Sequence, residues 1–128
     1  QSLALVLIDV DFFKRINDEF GHAQGDKVLQ QISHELQRSV RASDAMARWG
    51  GEEFIVLLDN CPQAELAALC ERWRCAIAEF DFGLARPVTI SLGIAQWRSG
   101  ESESELFQRA DQLLYAAKAA GRNCIISD

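Results

Sequence analysis

Six consecutive apolar residues, Leu3 to Ile8 (LALVLI), run straight into Asp9-Val10-Asp11. An amphipathic helix or a half-exposed strand would interrupt its apolar residues at a fixed period. An unbroken run of this length that ends on acids fits a strand buried on both faces. The chain is long enough for one such core. Its 128 residues are 48% hydrophobic and 25% charged, an ordinary globular balance. That balance excludes a disordered tail, a collagen-like repeat and a coiled coil. A core strand that opens almost at the first residue leads us to expect a piece of a longer, multidomain chain, with residues 1–128 forming one domain.

Hydrophobic periodicity then places the other elements. Residues 9–26 read as an acidic loop. Val28, Leu29, Ile32, Leu36 and Val40 follow helical spacing over about Lys27 to Arg41. Ala45 to Trp49 and Phe54 to Leu58 read as strands of a hairpin that turns at Gly50-Gly51. Pro62 suits the first turn of a helix whose apolar stripe is Leu66, Cys70, Trp73 and Ile77. Val88 to Trp97 reads as the fourth strand. Ser102 and Glu105 match a capping box ahead of Leu106, Ala110, Leu113 and Ala117, and Gly121 is placed to end that helix. Asn123 to Ser127 adds a last strand. The order predicts an α+β, ferredoxin-like β-α-β-β-α-β core with an extra C-terminal helix and strand. Its central sheet is expected to be mainly antiparallel.

Charge and cysteine usage limit the function classes. The formal charge is −6, so no general attraction to nucleic acid or an anionic membrane is expected. Phosphates would have to be handled locally, by backbone donors, a few cations or a metal. No apolar stretch approaches the roughly 20 residues that span a bilayer. Cys61, Cys70, Cys75 and Cys124 form no C-x-x-C pair, and His22 and His34 lie far from them in sequence. They read as buried or idle thiols of a cytoplasmic protein.

The chemistry concentrates at the end of the first strand. Asp9, Asp11, Asp18, Glu19 and Asp26 face only two nearby cations, Lys14 and Arg15. Taken alone, an Asp at a strand end is as readily a helix cap or loop former. The hairpin adds Glu52 and Glu53 directly after two glycines, and in this topology the first strand lies beside the hairpin. Asp9 and Glu52 can then converge, and convergent carboxylates repel unless a cation sits between them. Hard oxygen ligands with room for water suit Mg²⁺. With Lys and Arg nearby, such a site fits phosphoryl transfer.

The sequence resembles the GGDEF-domain diguanylate cyclase family over nearly its whole length. The matching blocks are Asp9-Val10-Asp11-Phe12-Phe13-Lys14, Asn17-Asp18, Gly21-His22, Gly25-Asp26, and Arg48-Trp49-Gly50-Gly51-Glu52-Glu53-Phe54. Further along come Ser91-Leu92-Gly93-Ile94-Ala95, Ala110-Asp111, Tyr115, Ala117-Lys118 and Gly121-Arg122-Asn123. The signature stands here in its GGEEF form. A D-x-L-T-x-L-x-N-R segment that usually precedes the first strand in this family has no counterpart in the sequence.

The resemblance implies a palm-like nucleotidyl-cyclase fold that condenses two GTP into cyclic di-GMP and releases pyrophosphate. Two domains would face each other as a homodimer. Asp9, Glu52 and the Val10 carbonyl would ligate Mg²⁺, or Mn²⁺ in its place, with Glu53 as a further ligand or proton acceptor. Asn17 and Asp26 would read guanine, although Asp26 also fits a helix N-cap ahead of Lys27. Main-chain N–H groups of Phe12, Phe13 and Lys14 would wrap the outer phosphates, and Gly50 and Gly51 would let the backbone approach them. Lys118 and Arg122 would reach the terminal phosphate, or else stand as solvated charge at a helix C-terminus. Asp11 is left as an orienting or structural residue, and Ser91 and Gly93 as strand packing.

Arg41-Ala42-Ser43-Asp44 occupies the family's R-x-x-D product-inhibition position, with Arg72 assisting; by itself the pattern arises often by chance. The alternative to an active cyclase is a silent module that binds cyclic di-GMP or GTP and regulates a partner domain.

Overall fold

The computed structural model describes residues 2–128. Nine elements follow one another: β1 (Leu3–Val10), α1 (Phe13–Phe20), α2 (His22–Gln37), β2 (Ala45–Trp49), β3 (Glu53–Asp59), α3 (Gln63–Glu79), β4 (Ile90–Gln96), α4 (Glu103–Ala119) and β5 (Ile125–Ser127). The sheet order is β2-β3-β1-β4-β5. β1 runs antiparallel to both β3 and β4, and only the β4–β5 pair is parallel. This is the expected α+β, ferredoxin-like arrangement with its C-terminal helix and strand.

Alternation along β1 explains its unbroken apolar run. Ala4, Val6, Ile8 and Val10 face a core shared with α1, α2 and α3, while Leu5 and Leu7 face a second core under α4. From Ala4 to Val10 no residue is more than 5% exposed. The central strand therefore has no solvent face.

Five sequence expectations need correction. The acidic stretch is not a loop: Phe13–Phe20 is a helix, anchored by only two buried residues, Phe13 and Ile16. A short helix with so narrow a stripe is hidden among charges. Gly21, at φ 90°, then breaks the chain direction, and α2 starts at His22 rather than Lys27. It also stops at Gln37, so Val40 packs on the core from beyond the helix end. In α4 the buried residue is Leu114, with Leu113 only partly covered. Pro62 stands at the N-cap of α3, one residue before its first turn. The Ser102–Glu105 capping box is present in both directions.

Gly93 sets how closely α4 lies on the sheet. A Cβ there would stand 2.3 Å from the Leu114 nitrogen and 2.6 Å from the Ala110 carbonyl oxygen. Both obstacles are helix backbone and cannot swing aside. Gly93→Ala should destabilise the domain by about 1–3 kcal/mol through overpacking. Urea unfolding monitored by circular dichroism reads this directly, and an unchanged midpoint would contradict the packing.

Candidate functional site

The C-terminal end of β1 delivers Asp9 and Asp11 to one edge of the domain, and the two acids do different work. Asp11 is 5% exposed. It accepts from Thr89 Oγ1 at 2.7 Å, Ser91 Oγ at 2.6 Å and the Asn123 backbone N–H at 2.9 Å. It is a structural tie between β1, β4 and the segment after α4. Ser91, read from sequence as packing, is a buried donor to that tie. Thr89 carried no sequence signal and Asn123 stood only in a motif block, with nothing to tie either to Asp11, 78 and 112 positions away.

Asp9 is equally buried, but its partners are incomplete. The Lys118 ammonium, from the last turn of α4, pairs with Oδ2, while Oδ1 is buried without a hydrogen-bond partner. Glu53 is the residue opposite Asp9 in the β1–β3 register, and the Glu52 carbonyl accepts from the Val10 N–H at 3.2 Å. Burial first, and then the Asp9 carboxylate, push both the Glu52 and the Glu53 carboxyl above the usual carboxylate range. Lys118 pulls both the other way, and Asp111 adds to the repulsion on Glu53.

A buried orphan carboxylate oxygen beside two acids of raised pKa fits a divalent hard cation. Among the described residues, no three or more His, Cys, Asp or Glu groups are drawn into a ready cage. Mg²⁺ takes one or two carboxylates and completes its shell with water and phosphate, so the donors gathered around Asp9 are of a kind that could hold it. Asp9, Glu52 and the Val10 carbonyl are the groups that could hold it.

The Gly50-Gly51 turn leaves open space. Neither glycine would place a Cβ within 4 Å of another group, but only Gly50 has a positive φ, at 67°. Gly51 is thus not required by its backbone angle. On the other side of β1, Phe12 caps α1 in the left-handed region, with φ 55° and ψ 34°. Phe13 turns into the core, and Lys14 is exposed on the first turn of α1. Lys118 and Arg122 do not lie side by side as two free cations. Lys118 is engaged by Asp9, and the Arg122 guanidinium lies over the Phe12 ring, 4.5 Å from its centroid.

Asn17 sits on α1 with its Oδ1 buried and unpartnered. Gly25, in the first turns of α2, makes room for it: a Cβ there would be 1.9 Å from that oxygen. Asp26 follows on α2, exposed and four residues inside the helix, so the N-cap alternative fails. Gly25 leaves the space that the Asn17 side chain fills, and in the sequence it stands out only as part of a motif block.

A second concave surface of about 360 Å³ brings together Arg41, Asp44 and Arg72 with Cys61 and Glu65. Here Arg41 and Asp44 are bonded to each other. The Arg41 backbone N–H and Nε reach Asp44 Oδ2 at 2.9 and 3.1 Å, and Nη2 reaches Oδ1 at 3.1 Å. The Asp59 N–H also donates to Asp44 Oδ1, at 2.9 Å. Burial of Asp44 disfavours its charge, but the Arg41 and Asp59 hydrogen bonds outweigh this and hold its carboxyl below the usual range.

All four cysteines are free thiols, and burial pushes Cys70 up to about 12. Among the described residues no helix is long and apolar enough to cross a membrane.

The end of β1 thus bears an underligated acid, set against a glycine hairpin with two further acids on a ferredoxin-like sheet, an arrangement suited to a divalent cation and phosphate groups. The model of the diguanylate cyclase GGDEF domain matches residues 1–124, and the chain belongs to that family. It is 49% identical over 125 residues to the diguanylate cyclase DgcP of Pseudomonas aeruginosa, covering 95% of this chain and 19% of that protein. It is 41% identical over 127 residues to the diguanylate cyclase DgcM of Escherichia coli, covering 99% of this chain and 31% of that one. The chain thus spans less than a third of either relative.

Among solved structures, it is similar to the GGDEF domain of DgcB from Caulobacter crescentus in complex with c-di-GMP. The TM-score there is 0.93 at 31% identity, covering 98% of this chain and 77% of that one. The active GGEEF domain of a diguanylate cyclase from Vibrio cholerae gives a TM-score of 0.92 at 35% identity, covering 99% and 83%.

The electrostatics of the corner make a prediction of opposite signs. In metal-free buffer at neutral pH, Glu52→Gln should raise stability by roughly a few tenths of a kcal/mol, the screened value of a half-exposed repulsion. Lys118→Ala should lower it by about 1–3 kcal/mol, because the buried Asp9 charge loses its partner. A raised folded-state pKa means that the Glu52 contribution is most favourable below the usual carboxylate range. It is lost as pH rises through the folded value, so the Glu52→Gln gain should disappear in acid. Urea titrations at two pH values measure both effects.

Proposed function

We propose that the domain is a diguanylate cyclase that condenses two GTP into cyclic di-GMP, releasing two pyrophosphates. Each of two copies would present one GTP to the other in a head-to-head homodimer. The observation that carries this is the Asp9 carboxylate, buried with one oxygen unpartnered, beside Glu52 and Glu53. Such a corner is unfavourable in the empty domain and favourable around a cation–phosphate complex. Mg²⁺, or Mn²⁺, when bound there, would neutralise phosphate charge and favour in-line attack.

The chain's own residues would do the rest. Asn17 and Asp26 would read the guanine edge, since an amide and a carboxylate match its acceptor and donors. Main-chain N–H groups from Phe12 to Lys14 would hold the outer phosphates, aided by the charges of Lys14, Lys118 and Arg122. Lys118 would exchange its Asp9 contact for phosphate. The 3′-hydroxyl of each GTP would attack the α-phosphate of the other. Glu53, its carboxyl already shifted toward neutrality, is suited to accept the hydroxyl proton. Arg41, Asp44 and Arg72 would bind cyclic di-GMP, by trading the Arg41–Asp44 pair for guanine and phosphate contacts.

The test is the reaction itself. The domain dimerised through a fused leucine zipper should convert GTP to cyclic di-GMP with Mg²⁺, and Glu52→Ala or Glu53→Ala should abolish product. A dimer that binds GTP and yields no product would instead be a silent nucleotide-binding module. Gly25→Ala should weaken GTP binding at least tenfold by displacing the Asn17 amide, a loss of about 1.4 kcal/mol or more, with the fold intact by circular dichroism. Arg41→Ala should weaken cyclic di-GMP binding in calorimetry and leave GTP binding unchanged; unaltered product affinity would remove the inhibitory assignment.

A further inference from the structure

Phe12 breaks two rules at once. It is a non-glycine residue in the left-handed region, at φ 55°, and it leaves a large aromatic ring 46% exposed. Its neighbour Phe13 is buried, so the core does not lack a ring that Phe12 could have supplied. The left-handed turn throws the Phe12 side chain outward instead. There two guanidinium groups lie over it: Arg15 at 4.3 Å and Arg122 at 4.5 Å from the ring centroid. Two like charges brought to one ring oppose each other, and the negative face of the ring offsets part of that repulsion.

The backbones beneath this stack are fixed. Arg122 is itself left-handed, at φ 66°, and its N–H bonds the Ala117 carbonyl at 3.0 Å. The next residue, Asn123, donates its N–H to Asp11, the residue before Phe12. One hydrogen bond therefore locks together the two strained segments, one carrying the ring and the other the guanidinium. Core packing does not demand this arrangement, since the ring is exposed and Arg122 only half-buried.

We infer that the Phe12 ring is a positioning residue for Arg122. It holds the guanidinium over the start of α1, where an anion would meet the free amides of the first turn, and Arg15 adds a second cation beside it. Anion recognition then depends on the side chain of Phe12 as well as on its main chain. The ligand class is the outer phosphates of a nucleoside triphosphate; the inference rests on reading this edge as a nucleotide site, and deepens that reading.

A double-mutant cycle tests it, with GTP affinity measured by calorimetry on the zipper-dimerised domain in Ca²⁺, to prevent turnover. Phe12→Leu keeps apolar bulk without a π-face, and should weaken GTP binding about tenfold. Phe12→Tyr should restore it. In an Arg122→Ala background, Phe12→Leu should add less than twofold, and GMP, which lacks the outer phosphates, should bind all variants alike. Equal losses from Phe12→Leu with and without Arg122, or failure of Phe12→Tyr to rescue, would overturn the inference. If the wild-type domain binds no GTP, the nucleotide reading fails; the same cycle run with tripolyphosphate then decides whether the ring positions Arg122 for an anion, independent coupling-free losses again overturning it.

Discussion

One buried carboxylate holds the working edge of this domain in shape. Asp11 accepts from Thr89, Ser91 and the Asn123 backbone, and so joins the end of the central strand to β4 and to the segment that leaves α4. A buried charge with its acceptor sites filled by short hydrogen bonds is stable where an orphan would not be. Everything placed at the edge depends on it. Asp9 precedes it by two residues, Phe12 follows it, and Arg122 is attached next to one of its donors. Asp9, two positions earlier and still within β1, lacks this saturation. The contrast separates a carboxylate that holds structure from one left available to a ligand.

The domain thus concentrates its electrostatic strain in one corner. Glu52 and Glu53 sit near Asp9, and a single ammonium, from Lys118, opposes all three. Elsewhere the charges are paired in ordinary ways: Arg74 with Glu71, Arg86 with Glu19, Arg109 with Glu101. A chain of formal charge −6 could spread its repulsion evenly. Instead, part of it gathers where a cation and phosphates would relieve it.

Much of the fold was legible in the sequence because its signals were long. The run Leu3–Ile8, the capping box at Ser102 and the glycine hairpin each announce one element through local chemistry. The helix Phe13–Phe20 was not legible, since its two buried residues lie among charged ones and its stop depends on the φ of Gly21. Leu114 rather than Leu113 faces the sheet because the phase of α4 is set by its contact with Gly93, a tertiary fact. The acids gathered at this corner could be picked out from residue types and order. What each acid touches could not, because the partners of Asp11 come from the far end of the chain. The pairing of Arg41 with Asp44 was likewise invisible: a motif gives residue types, not whether they are already bonded to each other.

That last pairing has a thermodynamic consequence. Asp44 has its oxygens filled by Arg41 and the Asp59 amide, and Arg41 also reaches the Asp59 carbonyl at 2.5 Å. A ligand entering this pocket does not dock onto waiting groups; it takes part in an exchange reaction. Its apparent affinity is the difference between the bonds it offers and those it displaces, so much of its gross enthalpy cancels. Small anions, which can engage Arg41 but offer nothing to Asp44, are disfavoured by the same balance. Selectivity in such a pocket would come from the closed resting state, since a ligand would have to bring both a partner for the cation and one for the acid.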